Sequence, residues 1–176
     1  GRPGATLVDL PKDVTLAETR TDPDESVPDV PEPRAEADAE SVAAAARTLE
    51  RAEKPLILAG GGVVKSGASD QLRAFAREYG VPVATSMPAV GAFPEDDDLA
   101  LEMVGMHGTG YANMAVTHCD VLLAVGTRFD DRLTGGVETF APEAELLHVD
   151  VDPAEIGKNV AADVGLVGDA GTVLEQ

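Results

Sequence analysis

A single cysteine, Cys119, no tryptophan, two tyrosines and four phenylalanines are all that 176 residues hold of those types. A lone cysteine excludes an internal disulfide and suits a reducing compartment. With aromatic residues at 3%, Ala, Val and Leu have to fill the interior. No apolar run approaches the roughly 20 residues of a membrane-spanning helix, which argues against a membrane partner. No charged-then-apolar leader is visible, so the expected location is cytoplasmic. Positive charge is scarce as well. Thirteen Lys plus Arg stand against 32 Asp plus Glu, a formal charge of −19. Phosphate backbones are bound by basic faces, so a nucleic-acid partner is excluded. The acids are scattered rather than gathered in a tail, and Lys is rarer than Arg. That pattern fits a halophilic surface whose self-repulsion is screened by salt; the alternative is a merely acidic protein.

What is present is enough for one sizeable core: 44% of the residues are hydrophobic, which excludes disorder. The opening stretch "GATLVDLPKDV" reads as a short strand, Ala5 to Leu10, stopped by Pro11. A chain that opens on a lone strand is expected to be part of something larger. Residues 21–34 are rich in Pro and acid and read as an extended linker. From 35 to 54 strong helix formers place Val42, Ala45, Ala46 and Leu49 at helical spacing.

Beyond Pro55 apolar strands alternate with helices. "PLILAGGG", "VPVATS", "DVLLAVG" (120–126), "AELLHVDVD" (144–152) and "DVGLVGD" (163–169) are the strands. Ser66–Tyr79, with Leu72, Phe75 and Ala76 on one face, residues 109–118 and a segment beginning at Ala170 are the helices; 87–108 reads as a loop. Continuous apolar strands alternating with helices specify an α/β, doubly wound, mostly parallel sheet of about six strands with helices on both faces.

In such a sheet a ligand binds beyond the carboxyl ends of the strands. "GGG" (60–62), "GTRFDDR" (126–132), "DVD" (150–152) and "GDA" (168–170) stand there, and "GMHGTG" (105–110) opens a helix. Glycines let backbone approach a ligand, helix starts offer N–H groups to phosphates, and strand-end acids accept from ribose hydroxyls. Together they read as a nucleotide or dinucleotide site. The G-x-G-x-x-G fingerprint of a standard NAD site fails, because Lys65 stands where the last glycine belongs and no acid ends "VPVATS". Arg128 and Arg132 bracket Asp130 and Asp131. A strand-end arginine suits a pyrophosphate through paired planar donors; the alternative is an Arg–Asp network satisfied within itself.

"GMHGTGYANMAVTHCDVLLAVGTRFDDRLTGG", followed by "HVDVDPAEIGKN", closely resembles the large, catalytic subunit of acetolactate synthase (acetohydroxyacid synthase). "GRPGATLVDLPKDV" resembles the end of that enzyme's first domain, and the likeness runs along nearly the whole chain. It implies a three-domain enzyme dependent on thiamine diphosphate and Mg²⁺. Residues 1–20 would be the end of the pyrimidine-binding domain, 21–34 a linker and 35–176 a Rossmann-like (DHS-like) central domain holding FAD. The third, thiamine-diphosphate/Mg²⁺ domain would be absent.

By motif, the resemblance assigns FAD contacts to Arg2, Gly61, Ser86, Met87, Val104, Gly105, Met106 and His107. It adds Gly126, Thr127, Arg128, Phe129 and Asp130, then Asp150, Val151, Asp169 and Ala170. Arg128 would be the cationic partner of the diphosphate. Lys12, Asp131 and Arg132 match positions by the substrate channel. Departures from the family are Gly110, Gly136, and Pro88–Ala89 in place of a Gly-rich turn. The implied partners are the flanking domains of the same chain, a second copy in a homo-oligomer and a regulatory small subunit.

Metal ligands and catalytic residues are not expected within these residues. "VGDAG" (167–171) is not the G-D-G…N motif, "EDDD" (95–98) reads as a solvated loop, and His118, Cys119 and His148 lack metal-ligand spacing. His148 flanks a buried strand and Cys119 is expected in the core. The fragment alone is expected to be inactive. The intact enzyme would condense two pyruvates, or pyruvate with 2-oxobutyrate, for branched-chain amino-acid synthesis. The rival readings are another thiamine-diphosphate carboligase or decarboxylase, such as glyoxylate carboligase, and a stand-alone nucleotide-binding or structural domain.

Overall fold

The computed structural model describes residues 4–18 and 34–176. The chain divides into two units, Gly1–Pro33 and Arg34–Gln176. In the first, the described residues carry one short helix, α1 (Lys12–Thr15), which starts directly after Pro11. The expected strand over Ala5–Leu10 does not form. A strand needs a ladder partner, and the described residues of this unit supply none. Leu7 and Val8 are accordingly 92% and 75% exposed.

The second unit is a six-stranded, all-parallel sheet. Its strands are β1 (Pro55–Ala59), β2 (Val83–Thr85), β3 (Ala100–Met103), β4 (Val121–Val125), β5 (Glu145–Asp150) and β6 (Val164–Val167). The spatial order is β3-β2-β1-β4-β5-β6. From β1 the chain winds one way to β3, returns to the centre, and winds the other way through β4 to β6. The order reverses between β1 and β4, whose five residues pair in register from Pro55↔Val121 to Ala59↔Val125.

Alternation along each strand divides the interior into two layers. Ile57, Ala59, Leu123, Val125, Leu147 and Val149 face one layer. There they meet α2 (Ala39–Glu50), α3 (Gly61–Lys65), α4 (Ser69–Tyr79) and α7 (Ala170–Glu175) through Ala45, Val63, Leu72, Ala76 and Ala170. Leu56, Leu58, Leu122, Ala124 and Leu146 face the other. They pack on α5 (Gly110–His118) and α6 (Asp131–Thr134) through Ala112, Val116 and Leu133, and on Phe129 and Phe140. Each fully buried Leu contributes about 1.5–3 kcal/mol relative to exposure.

Three local expectations need correction. The helix expected over Ser66–Tyr79 starts later, at Ser69, because Gly67 turns the backbone left-handed at φ +67; a separate short helix, α3, occupies Gly61–Lys65 just before that turn. In α2 the inward face carries Ala45 and Thr48, while Ala46 points outward. The stretch read as one loop, 87–108, contains the edge strand β3, which hides because its residues are only half-buried and irregular. Val83 and Thr85 pair with Ala100 and Met103, so β3 carries one extra residue. Glu102 takes up that residue as a bulge, at φ +59.

Candidate functional site

The site is built at the reversal point, where the chain leaves the ends of β1 and β4 in opposite directions and opens a crevice between them. Its floor is backbone against backbone. A Cβ at Gly60 would lie 2.2 Å from the Gly126 carbonyl oxygen, and one at Gly62 would lie 2.6 Å from the Gly126 Cα. Gly62 N–H donates to that same carbonyl at 2.9 Å, and Gly126 itself sits at φ +64. Gly60 and Gly62 therefore serve the contact between two loops, rather than the approach of a ligand that the triple glycine suggested. Gly61 faces Pro88 instead.

From Gly126 the loop runs through Thr127, Arg128 and Phe129 into α6. Thr127 is buried, and its carbonyl accepts from His148 Nε2 at 2.9 Å. The Arg128 carbonyl accepts from Asn159 Nδ2 at 2.7 Å. Phe129 is only 2% exposed and takes a left-handed φ of +53. Its ring stands edge-on to His148 at 5.0 Å and to Phe140 at 5.8 Å. Phe129, expected as a cofactor contact, therefore turns its ring into the core. Asp130 caps α6: its Oδ1 accepts from the N–H groups of Arg132 and Leu133, both at 3.2 Å. The Arg–Asp network kept open as an alternative does not form. Among the described residues neither Arg128 nor Arg132 is in an ion pair. Arg128 is exposed, and Arg132 reaches only the Met106 sulfur, at 3.5 Å.

One pocket of about 70 Å³ opens beside this loop. It gathers Ser86, Met87, Val104, Met106, His107 and Asp130 with Arg132, Pro88, Met103 and Leu133. Six of the expected cofactor residues thus share a cavity with Arg132, which had been assigned to a separate channel. The "GMHG" turn is pressed onto α6: Met106 N–H donates to the Arg132 carbonyl at 2.9 Å, and a Cβ on Gly105 would meet that oxygen at 2.7 Å. Asn113 holds the turn from both sides, accepting from Gly105 N–H at 3.0 Å and donating to its carbonyl at 3.1 Å. The pocket rim is apolar and open, with Met87 71% and Met106 62% exposed.

Along the other half of the rim the strand-end acids share one habit. Asp150 Oδ1 accepts from Asp152 N–H at 2.9 Å. Asp169 Oδ1 accepts from Gly171 and Thr172 N–H at 3.1 and 3.3 Å, capping α7 beside buried Ala170, and also from the Thr172 hydroxyl at 3.4 Å. Arg34 lies 3.8 Å from that oxygen. Like Asp130, each anchors one carboxylate oxygen and leaves the other, Oδ2, without a hydrogen bond among the described residues. Val151 lies between, half-buried. Asp131 is exposed at the first position of α6. Lys12 is in the first unit, on α1, and Arg2 lies outside the described residues.

Residues 42–176 match the family described as thiamine pyrophosphate enzyme, central domain. The chain belongs to that family. It is 51% identical to the probable acetolactate synthase large subunit of Methanocaldococcus jannaschii, over 99% of this chain and 30% of that protein. It is 49% identical to the acetolactate synthase large subunit of Parasynechococcus marenigrum, over 99% of this chain and 29% of that protein. With the acetolactate synthase large subunit of Corynebacterium glutamicum the identity is 47%, over 99% and 28%. The chain thus spans about three tenths of the length of these relatives.

In this thiamine pyrophosphate enzyme central domain, two residues that shape the site escaped the sequence reading. His148 does not merely flank a strand: it lies inside β5 at 0% exposure, where burial pushes its imidazole pKa down. Its signal was a polar residue inside the apolar run "LLHV". Asn159 gave none, because only the fold brings it to Arg128. Cys119 is in the core as expected, its thiol pushed up to about 11 by burial. In the acidic loop, Asp97 is bound rather than solvated, held low by the Leu99 N–H and by Arg77 Nε at 2.8 Å. Among the described residues no group of three or more His, Cys, Asp or Glu is placed to hold a metal, and no helix is long and apolar enough to cross a membrane.

Proposed function

We propose that this chain is the FAD-holding central part of an acetolactate synthase large subunit. Residues 1–20 would belong to the preceding domain and 21–34 to a linker. The observation that carries the FAD reading is Arg128: an exposed cation at the reversal point, in a chain of charge −19, with no ion pair among the described residues. A guanidinium held there suits a diphosphate through two parallel N–H contacts. The donor and acceptor set fits a dinucleotide lying along the rim. From β2 to β6 the strand ends span about 19 Å at the usual spacing of roughly 4.8 Å. Ser86, Met87, Val104, Gly105, Met106 and His107 would take one end. Gly61, Gly126, Thr127, Arg128 and Asp130 would take the middle, and Asp150, Val151, Asp169 and Ala170 the other end. The Oδ2 atoms of Asp150 and Asp169, without a hydrogen bond among the described residues, suit ribose hydroxyls.

Thiamine diphosphate with Mg²⁺, bound outside this chain, would supply the carbanion-stabilising chemistry for condensing pyruvate with pyruvate or 2-oxobutyrate. This chain's part would be to hold the flavin and, with Asp131 and Arg132, to border the substrate channel. The partners would be flanking domains, a second copy in a homo-oligomer and a regulatory subunit. The test is turnover: the enzyme containing this segment, stripped of flavin, should form acetolactate only when FAD is restored with thiamine diphosphate and Mg²⁺. Full turnover without FAD would sink the reading. We also assign the acidic surface to a high-salt setting, which predicts a melting temperature that rises between about 0.1 and 2 M KCl as screening grows. A flat or falling melting curve would count against it.

A further inference from the structure

We propose that His148 is a positioning residue of this site: its neutral imidazole ties the Arg128 loop to the turn at Gly157, and its protonation releases the loop. The two ring nitrogens meet opposite partners. Nε2 lies 2.9 Å from the Thr127 carbonyl, which can only accept, and Nδ1 lies 3.3 Å from the Gly157 N–H, which can only donate. Only the neutral tautomer with its proton on Nε2 satisfies both. A second proton on Nδ1 sets two donors against each other in a site with 0% exposure.

The same ring is the seat of Phe129, edge-on at 5.0 Å. Phe129 holds a left-handed φ of +53, a conformation a bulky residue keeps only where its surroundings over-determine it. His148 therefore fixes the residues on both sides of Arg128, through the Thr127 carbonyl and the Phe129 ring. Asn159 holds the Arg128 carbonyl from outside. The charged groups facing the imidazole are Asp150 on its own strand and Glu155 from the following segment, and both favour the protonated form. Glu155 is held by Lys158 at 3.2 Å. The register partners of His148 on β4 and β6 are Ala124 and Gly165, and the ring neighbour is Phe129; none titrates. Burial outweighs the hydrogen bond to the Thr127 carbonyl and both acids and holds the imidazole below its ordinary value of 6.5, so the clip is closed at neutral pH and opens on acidification.

The inference rests on the reading that the Arg128 loop faces FAD, and the experiment separates the two. In the 176-residue chain, ¹⁵N-detected imidazole signals should report a proton on Nε2 and none on Nδ1 at about pH 7.5. As pH falls to about 5, the amides of Gly157, Arg128 and Phe129 should shift with the midpoint of the imidazole. In His148→Gln, which keeps an N–H toward Thr127 but does not titrate, those amides should hold still. In the enzyme containing this segment, FAD affinity should fall up to about tenfold per pH unit below that midpoint in the parent, the limit for one coupled proton, and stay level in the variant. A proton on Nδ1 at pH 7.5, an imidazole still neutral at pH 5, or loop amides indifferent to its titration each overturns the proposal. So does an equal pH slope in His148→Gln. Should that variant fail to fold, the parent's tautomer and co-titration decide. Absence of FAD binding at every pH in the enzyme containing this segment removes the cofactor reading and leaves the amide titration to decide this one.

Discussion

The two halves of the sheet's carboxyl rim are built differently. On the β4–β5–β6 side the loops are pinned by polar contacts to named atoms: Thr127 by His148, Arg128 by Asn159, and the strand-end acids by the N–H groups they cap. On the β2–β3 side the pocket is walled by methionines that stand mostly in solvent, Met87 and Met106, and by a turn that follows a bulged edge strand. A pinned half suits a ligand part of fixed charge and geometry, where a misplaced guanidinium loses its paired contact. An adaptable methionine wall suits a flat apolar part whose exact seat matters less. The glycine seam between β1 and β4 joins the halves.

The largest effect is expected at that seam. Gly60→Ala drives a Cβ into backbone at 2.2 Å, where no side chain can swing away. It should cost roughly 3 kcal/mol, the upper range of overpacking, read as a lowered urea midpoint. A midpoint unchanged from the parent would mean the two halves are not locked together there.

The pinned half should respond next. His148→Leu leaves the Thr127 carbonyl and the Gly157 N–H without partners and should cost about 2 kcal/mol at neutral pH. The sign of the pH effect follows from the direction of the shift. Because the folded imidazole titrates below its ordinary value of 6.5, the folded state binds fewer protons than the unfolded. His148 therefore stabilises fully above pH 6.5, and that contribution is lost as pH falls through the folded value. Urea unfolding should converge for parent and Leu variant on acidification; a constant gap would contradict the assignment.

The adaptable half should barely register in stability. Met87→Ala and Met106→Ala remove exposed side chains and should each shift stability by less than about 0.5 kcal/mol. Both should weaken FAD binding if that wall faces the flavin. A loss of several kcal/mol of stability would show that the rim is core, and the comparison would fail.

Much of this was legible before any coordinates. Four of the six strands read as continuous apolar runs, and the short β2 was visible between Gly80 and Ser86. β3 was not legible, because a half-buried edge strand after four acids has neither alternation nor an unbroken apolar run. The site's location followed from strand ends, glycines and acids, and "RFDD" does lie at the reversal point. The sharing of one pocket by Arg132 and Met106 was hidden, since it depends on the Gly105 turn pressing onto α6 across 27 residues of sequence. The inward turn of the Phe129 ring was hidden for a related reason. The resemblance names it only as part of the 126–130 run, and the left-handed backbone that accompanies the buried ring is visible only in the fold.

The central claim is that Arg128, held by the pinned half, meets the diphosphate of FAD. Flavin titration of Arg128→Ala and Arg132→Ala in the enzyme containing this segment tests it most directly. Loss of a charge-assisted contact is worth about 1.5–3 kcal/mol, so Arg128→Ala should weaken FAD roughly ten- to hundredfold. Arg128→Lys should recover only part of that, because an ammonium lacks the paired planar donors. Arg132→Ala, whose side chain among the described residues reaches only the Met106 sulfur, should retain FAD within a few-fold. FAD bound as tightly by Arg128→Ala as by the parent, or lost equally in Arg132→Ala, would contradict the account.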